Sequence, residues 1–312
     1  MMFPGQGSQS VGMLATLGAV APLVREIFAE ASAVLGYDLW QMCQQGPEER
    51  LAETERTQPA MLAAGVAVWR VWRQRGGRVP DMLAGHSLGE YSALVCAGAM
   101  EFAAATELVQ FRGQAMQRAV PAGSGAMAAI LGLEDAQIEA ACVEAARGEV
   151  VQPVNYNASG QLVIAGHASA VARAVESCKA RGARRAVLLP VSVPSHSALM
   201  KPAAEELRDR LRTLRISMPA IRVYAFDGGL HDTPDAIRDG LYRQLFSPVR
   251  WSAIVERMTG EGARLLLECG PGKVLAGLAR RSPAGRELQI HAIDGADTME
   301  AALVAAAGSE KA

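Results

Sequence analysis

The stretch from Asp81 to Gly89 restricts the fold of this chain more than any other. A short buried-strand run, Asp81 to His86, passes directly into Gly85-His86-Ser87-Leu88-Gly89, and a helical pattern starts at about Gly89. A Gly-x-Ser-x-Gly sequence in that setting asks for a strand, a sharp turn and a helix leaving the turn. The glycines let the backbone bend where a Cβ would clash, and the turn lifts the serine hydroxyl off the strand end. Backbone N–H groups left free at the helix N-terminus favour negative charge developing on a nearby oxygen. A glycine-rich strand-to-helix turn without chemistry is the alternative that the pentapeptide alone leaves open.

Similar alternation elsewhere sets the fold class. Ile221 to Ala225, Arg264 to Cys269 and Leu288 to Ile293 read as buried strands, whereas Pro59 to Arg73 and Ala198 to Leu214 read as helices. The pattern predicts an α/β protein with a mostly parallel sheet. Between roughly Gly125 and Pro190 the order changes to strand (126–131), helix (134–146), strand (150–154), strand (161–165), helix (169–181) and strand (185–189). That is the split βαββαβ order of a ferredoxin-like unit. Turn-forming residues at Pro121 to Gly125 and at Pro190 to Pro194 bracket it. A chain of 312 residues, half of them hydrophobic, is long enough for two unequal units. The expected division is a large α/β subdomain of residues 1–120 and 194–312, interrupted by a small ferredoxin-like subdomain of residues 121–193.

Composition removes several function classes. Lysine plus arginine (31) nearly cancel aspartate plus glutamate (32), so nothing points to nucleic acid or a membrane surface as the main partner. Five widely spaced cysteines without a CxxC pair argue against a disulfide framework or a zinc site and fit a reducing compartment. No window approaches the ~18 uninterrupted apolar residues of a membrane span, and the opening Met-Met-Phe-Pro-Gly-Gln-Gly does not resemble a signal sequence. A soluble, cytoplasmic protein is expected.

A serine hydroxyl attacks only when a base removes its proton. Five histidines are available. His86 adjoins Ser87, but neighbours in a sharp turn point different ways, so it reads as a packing or turn residue. His167 precedes a helix of the small unit, and His231 and His291 lie in polar, exposed-looking sequence. His196 stands apart: in Val193-Pro194-Ser195-His196-Ser197 the chain returns from the inserted unit, a place suited to face a cleft. A lone loop histidine that only makes structural hydrogen bonds is the alternative. Phe3-Pro4-Gly5-Gln6-Gly7-Ser8-Gln9 is a second glycine-rich loop, without the lysine of a P-loop or the spacing of a dinucleotide fingerprint.

Phe3 to Gln9, Gly85 to Ser92, Arg112-Gly113, Pro153-Val154-Asn155, Val193 to His196 and Gly270-Pro271-Gly272-Lys273-Val274-Leu275 together resemble the malonyl-CoA:acyl carrier protein transacylase family of bacterial fatty-acid synthesis. The resemblance implies an α/β-hydrolase-like large subdomain, a ferredoxin-like small one and a site in the groove between them. It implies a malonyl ester on Ser87, with His196 as general base and acid and the N–H groups of Gln6 and Leu88 as the oxyanion hole. The backbone carbonyl of Gln244 is implied to hold the second ring nitrogen of His196. Arg112, which outside this motif would read as a surface arginine on a helix, is implied to pair with the free carboxylate of malonyl.

Malonyl-CoA and acyl carrier protein are then the partners of an expected monomer, with the coenzyme A thioester as substrate and no cofactor or metal. Leu88 and the compact Val193 to His196 segment resemble malonyl-using members more than methylmalonyl-using ones. Arg184-Arg185 and Arg280-Arg281 are candidate docking clusters for an acidic carrier. A serine hydrolase or thioesterase, a polyketide-synthase acyltransferase acting in trans and a silent docking module are the competing readings. The chain departs from the family pattern in two places. Few residues precede Phe3, so a short first strand is expected, and Val223 to Asp227 lacks the asparagine that the family commonly has there.

Overall fold

The strands of the computed structural model, which describes residues 1–191 and 193–308, form two separate sheets. Ser192, within the expected small subdomain, and residues 309–312, at the end of the expected large one, lie outside the described residues. In chain order the strands are β1 (Met2–Phe3), β2 (Met82–Gly85), β3 (Gly125–Leu131), β4 (Val151–Ala158), β5 (Gln161–His167), β6 (Arg185–Leu188), β7 (Arg222–Tyr224), β8 (Leu265–Cys269) and β9 (Gln289–Ile293). The first sheet has the order β7-β2-β1-β8-β9 with every pairing parallel. The second has the order β4-β5-β3-β6 with every pairing antiparallel. Helices Asp135–Ala146 and Ala168–Ala180 complete its βαββαβ connection. The α/β class, the parallel sheet and the ferredoxin-like unit are therefore as the sequence predicts.

Period-two alternation decides which way the small sheet faces. Leu162 and Ile164 of β5 pack with Ile138 and Val171 of the two helices, whereas Val163 and Ala165 point to the other face, where they meet Met127 and Val154. The parallel sheet is buried on both sides, as helical crossovers require. Phe3 and Leu83 face the core built around helices Thr54–Gln74 and Phe102–Arg118, and Met2 and Ala84 face a second core with Tyr224, Phe226 and Trp251.

Two elements extend well beyond the expected bounds. The helix read from Pro59 begins at Thr54, because Pro59 sits inside the helix rather than at its first turn. The strand read as 150–154 continues to Ala158 across a bulge at Pro153/Asn155, and this extra length reaches the large sheet's side of the molecule. There Tyr156 N–H donates to Val249 O at 2.9 Å and Val249 N–H donates to Val154 O at 2.9 Å. These two bonds fasten β4 to the segment that follows helix Pro234–Gln244, and Asn157 of β4 lies 3.0 Å from His86, just past the end of β2. The first strand is short, as expected, with two residues.

Candidate active site

Ser87 lies between β2 and helix Gly89–Cys96 with φ 53°, a left-handed conformation that few non-glycine residues adopt. Such a residue costs about 1–3 kcal/mol and persists only where its surroundings hold it. Here three glycines make the close packing possible. A Cβ on Gly85 would lie 1.9 Å from the Gly89 carbonyl carbon, one on Gly89 2.0 Å from Phe3 O, and one on Gly5 2.5 Å from His86 O. The N-terminal loop thus rests directly on the turn, and His86 N–H donates to Phe3 O at 3.0 Å.

His196 also has a positive φ, 64°, and is buried. Its Nε2 lies 2.8 Å from Ser87 Oγ and its Nδ1 lies 2.7 Å from Gln244 O. A carbonyl only accepts, so Nδ1 carries the proton and Nε2 presents its lone pair to the hydroxyl. That carbonyl is available because Gln244 ends helix Pro234–Gln244, where the last C=O groups have no partner within the helix. Burial first, and the Arg112 charge second, push the His196 pKa down to about 3, against the opposing pull of the Gln244 carbonyl. The imidazole is neutral at physiological pH.

Arg112 is not the surface residue that its helix position alone suggested: it is 1% exposed. Its Nη1 donates to Gln58 Oε1 at 2.8 Å, and its Nη2 donates to Gln244 Oε1 at 3.0 Å and to Ser87 Oγ at 3.3 Å. The Tyr91 ring lies 5.4 Å from the guanidinium carbon, and Nε has no hydrogen-bond partner. These oxygen partners are neutral. Arg112 can approach the serine because Gly113, next in its helix, packs on Thr54 and Glu55, where a Cβ would lie 2.7 Å from the Glu55 Cα.

Gln6 and Leu88, the two implied oxyanion donors, lie on either side of the contact between loop and turn. A Cβ on Gly5 would lie 3.7 Å from Leu88 N, and neither the Gln6 nor the Leu88 amide donates any of the described turn and loop hydrogen bonds. The Gln6 side chain donates to Thr54 Oγ1 at 3.4 Å. His196 and Arg112 thus meet at the Ser87 hydroxyl, Gln244 contacts both of them, and Gln6 and Leu88 lie in the loop and the turn beside it.

Sequence reading missed Gln58, Glu90, the side chain of Gln244 and His231. Gln244 Nε2 donates to Ser87 O at 3.0 Å and to Glu90 Oε2 at 2.8 Å, and Glu90 Oε1 lies 2.6 Å from His231 Nε2. His231 was expected to be exposed and is buried. The polar loop before it folds back, its N–H donating to Val223 O at 3.0 Å, and this turns the ring inward. His291 is half-buried in β9 rather than exposed. His86 packs as expected, with Nε2 3.0 Å from Asn157 Oδ1 and its ring against Trp251. His167 Nδ1 accepts the Val150 N–H at 2.9 Å. Among the described residues no group of three or more His, Cys, Asp or Glu could hold a metal, and no helix is long and apolar enough to cross a membrane.

A neutral imidazole, a hydroxyl and a buried guanidinium converging in this way suit acyl transfer involving an anionic group, and known proteins point the same way. Residues 1–283 match the acyl transferase domain family. The malonyl CoA-acyl carrier protein transacylase of Escherichia coli strain K12 is 59% identical over 281 residues, 90% of this chain and 91% of that protein. The crystal structure of an acyl carrier protein S-malonyltransferase from Vibrio cholerae has 56% identity and a TM-score of 0.93, covering 96% of this chain and 98% of that one. A malonyl-transacylase solved in complex with a type II PKS acyl-carrier protein has 53% identity and a TM-score of 0.96, covering 98% of each chain. The chain belongs to the acyl transferase domain family, within the group of malonyl CoA-acyl carrier protein transacylases.

Proposed function

We propose that this chain carries malonyl from coenzyme A to the pantetheine thiol of an acyl carrier protein through an ester on Ser87, supplying fatty-acid synthesis. The observation that carries the reading is the position of the Ser87 hydroxyl, 2.8 Å from His196 Nε2 and 3.3 Å from Arg112 Nη2. In acylation, His196 Nε2 takes the hydroxyl proton as Oγ attacks the thioester carbon. The carbonyl oxygen gains the negative charge, which the N–H groups of Gln6 and Leu88 receive. Collapse breaks the C–S bond, and the imidazolium returns the proton to the departing coenzyme A sulfur. In the second half the carrier thiol gives its proton to His196 and attacks the ester carbon, and Ser87 leaves with that proton. The coenzyme A thioester is a substrate, and side chains and backbone supply the catalysis. The five free cysteines fit a reducing, cytoplasmic setting.

Arg112 supplies the substrate preference in this reading. Its guanidinium is held by neutral oxygens in a buried position, which leaves its charge available to a carboxylate. A malonyl carboxylate paired there also offsets the charge that depresses His196. Acetyl lacks that carboxylate and does neither. A charge-assisted bidentate pair is worth about 1.5–3 kcal/mol, roughly ten- to hundredfold in rate constant. Arg112→Ala is expected to lose about that much in kcat/KM for malonyl-CoA while acetyl-CoA loading falls much less, and Arg112→Lys is expected to recover little. Equal losses for both thioesters would show that Arg112 only supports the fold.

For the carrier we propose the exposed arginines at one end of the small sheet. Leu131 pairs with both Arg185 and Gln161, and Arg281 Nη1 donates to Gln161 Oε1 at 2.6 Å, so the two clusters named from sequence share one surface. Reversing the charge of Arg185 is expected to raise the KM for an acidic carrier and flatten its salt dependence, leaving acylation by malonyl-CoA intact. An unchanged KM would leave these residues as solvated surface. Intact mass measured after mixing with malonyl-CoA, with and without carrier protein, tests the function as a whole. An adduct that the carrier discharges supports transfer, and one that water discharges equally fast means hydrolysis.

A further inference from the structure

Among the described residues, Glu90 and His231 form the most buried ionisable pair outside the reacting groups, with side chains 0% and 1% exposed. Burying a carboxylate is costly unless each oxygen finds a donor. Glu90 meets this with His231 Nε2 at 2.6 Å on Oε1 and Gln244 Nε2 at 2.8 Å on Oε2. The pairing adds to the contacts that fix which way the Gln244 amide faces. A carboxylate facing it accepts only, as does Ser87 O, so Nε2 must turn toward them and Oε1 toward Arg112, 3.0 Å away. With the amide reversed, an NH₂ group would confront the guanidinium.

The imidazole also has a prepared seat. A Cβ added to Gly240, one helical turn before Gln244, would lie 2.7 Å from His231 Cε1. The glycine therefore leaves the space that lets the ring reach Glu90.

We propose that His231, seated on Gly240 and acting through Glu90 and the Gln244 side chain, is a positioning residue that aims Arg112 at the acyl group's carboxylate. The proposal rests on the malonyl-transfer reading above. It predicts an asymmetric effect. The contact between His196 and Gln244 runs through the backbone carbonyl, which the helix end holds, whereas the contact with Arg112 runs through the side chain that Glu90 orients. Loss of His231 should accordingly disturb recognition of malonyl more than base catalysis.

The test is a double-mutant cycle on the full chain, reading kcat/KM for malonyl-CoA and acetyl-CoA alongside thermal stability. His231→Ala is expected to cost malonyl-CoA about tenfold and acetyl-CoA about threefold or less, as a small misalignment of a substrate clamp does. His231→Gln, which keeps an N–H donor, should restore most of the ratio. Gly240→Ala in the otherwise unchanged chain should displace the ring and reproduce the loss. In the His231→Ala background the same substitution should have little further effect, giving strong non-additivity. Equal losses for both thioesters, or additive losses in the cycle, would overturn the positioning role. Adduct stoichiometry on the unsubstituted chain separates the two readings. No malonyl adduct would remove the transferase reading itself, whereas a full adduct with an unchanged malonyl-to-acetyl ratio in His231→Ala would remove only the role of His231.

Discussion

Ser87→Ala is expected to abolish the malonyl adduct and to lower transfer on the order of 10⁴-fold or more, the scale on which loss of a catalytic nucleophile is felt. The physical ground is that no neighbouring group can take its place. Ser197 is buried and donates its hydroxyl to Pro194 O at 2.6 Å. Ser92 is buried on the core side of helix Gly89–Cys96, where its Oγ lies beside Gly65 and has no base against it. Burial raises the thiol pKa of Cys96 and Cys269 well above the ordinary range, so neither supplies thiolate. Among the described residues only Ser87 has an imidazole lone pair facing its proton and a turn that presents it. The substitution leaves the strand, the glycines and the Gln244 contact to Ser87 O in place, so the variant should fold. Intact mass and steady-state transfer are the measurements, and an undiminished adduct on the alanine variant would place the nucleophile elsewhere.

How much of this site the sequence disclosed depends on the kind of contact. Ser87 was legible because its turn needs glycines at fixed offsets, and His196 because it lies where the chain re-enters the large unit. The strands and helices of the small unit were legible because period two and period 3.6 are local properties. The network behind the site was not. Gln58, Glu90 and His231 come from three distant segments, and each carries a side chain that reads as ordinary surface until tertiary structure buries it. His231 is the clearest case. Its polar surroundings, Gly228 to Asp232, suggest exposure, and only the backbone bond to Val223 and the missing side chain at Gly240 turn it inward. Arg112 lay between these extremes: its helix was legible, but its burial followed from Gly113 packing on Thr54 and Glu55, a contact between segments far apart in sequence.

His196→Ala is expected to slow acylation and transfer alike, by roughly 10²–10⁴-fold, since one imidazole handles the proton in both halves. Its pH behaviour provides a sharper check. Burial and the Arg112 charge hold the imidazole near pKa 3, so the free enzyme keeps its base unprotonated far below pH 6.5. The acid limb of kcat/KM for malonyl-CoA should therefore lie well below the ordinary histidine range, with a flat profile at neutral pH. Arg112→Ala removes the largest depressing influence after burial. Without that positive neighbour the imidazolium is easier to form, the pKa rises, and the base is lost earlier as pH falls, so the acid limb should move upward. The acylated enzyme offers the same comparison from the other side. A malonyl carboxylate held at Arg112 offsets its charge, so transfer to the carrier from malonyl-Ser87 should show an acid limb above that of free-enzyme acylation, and an acetyl ester should not. Stopped-flow pH jumps faster than acid unfolding, spanning about pH 2.5 to pH 8, read each half-reaction's limb on the unsubstituted chain and on Arg112→Ala. Identical limbs in the two proteins would mean that Arg112 does not act on the base electrostatically, and equal limbs for malonyl and acetyl esters would mean that the carboxylate does not bind beside His196.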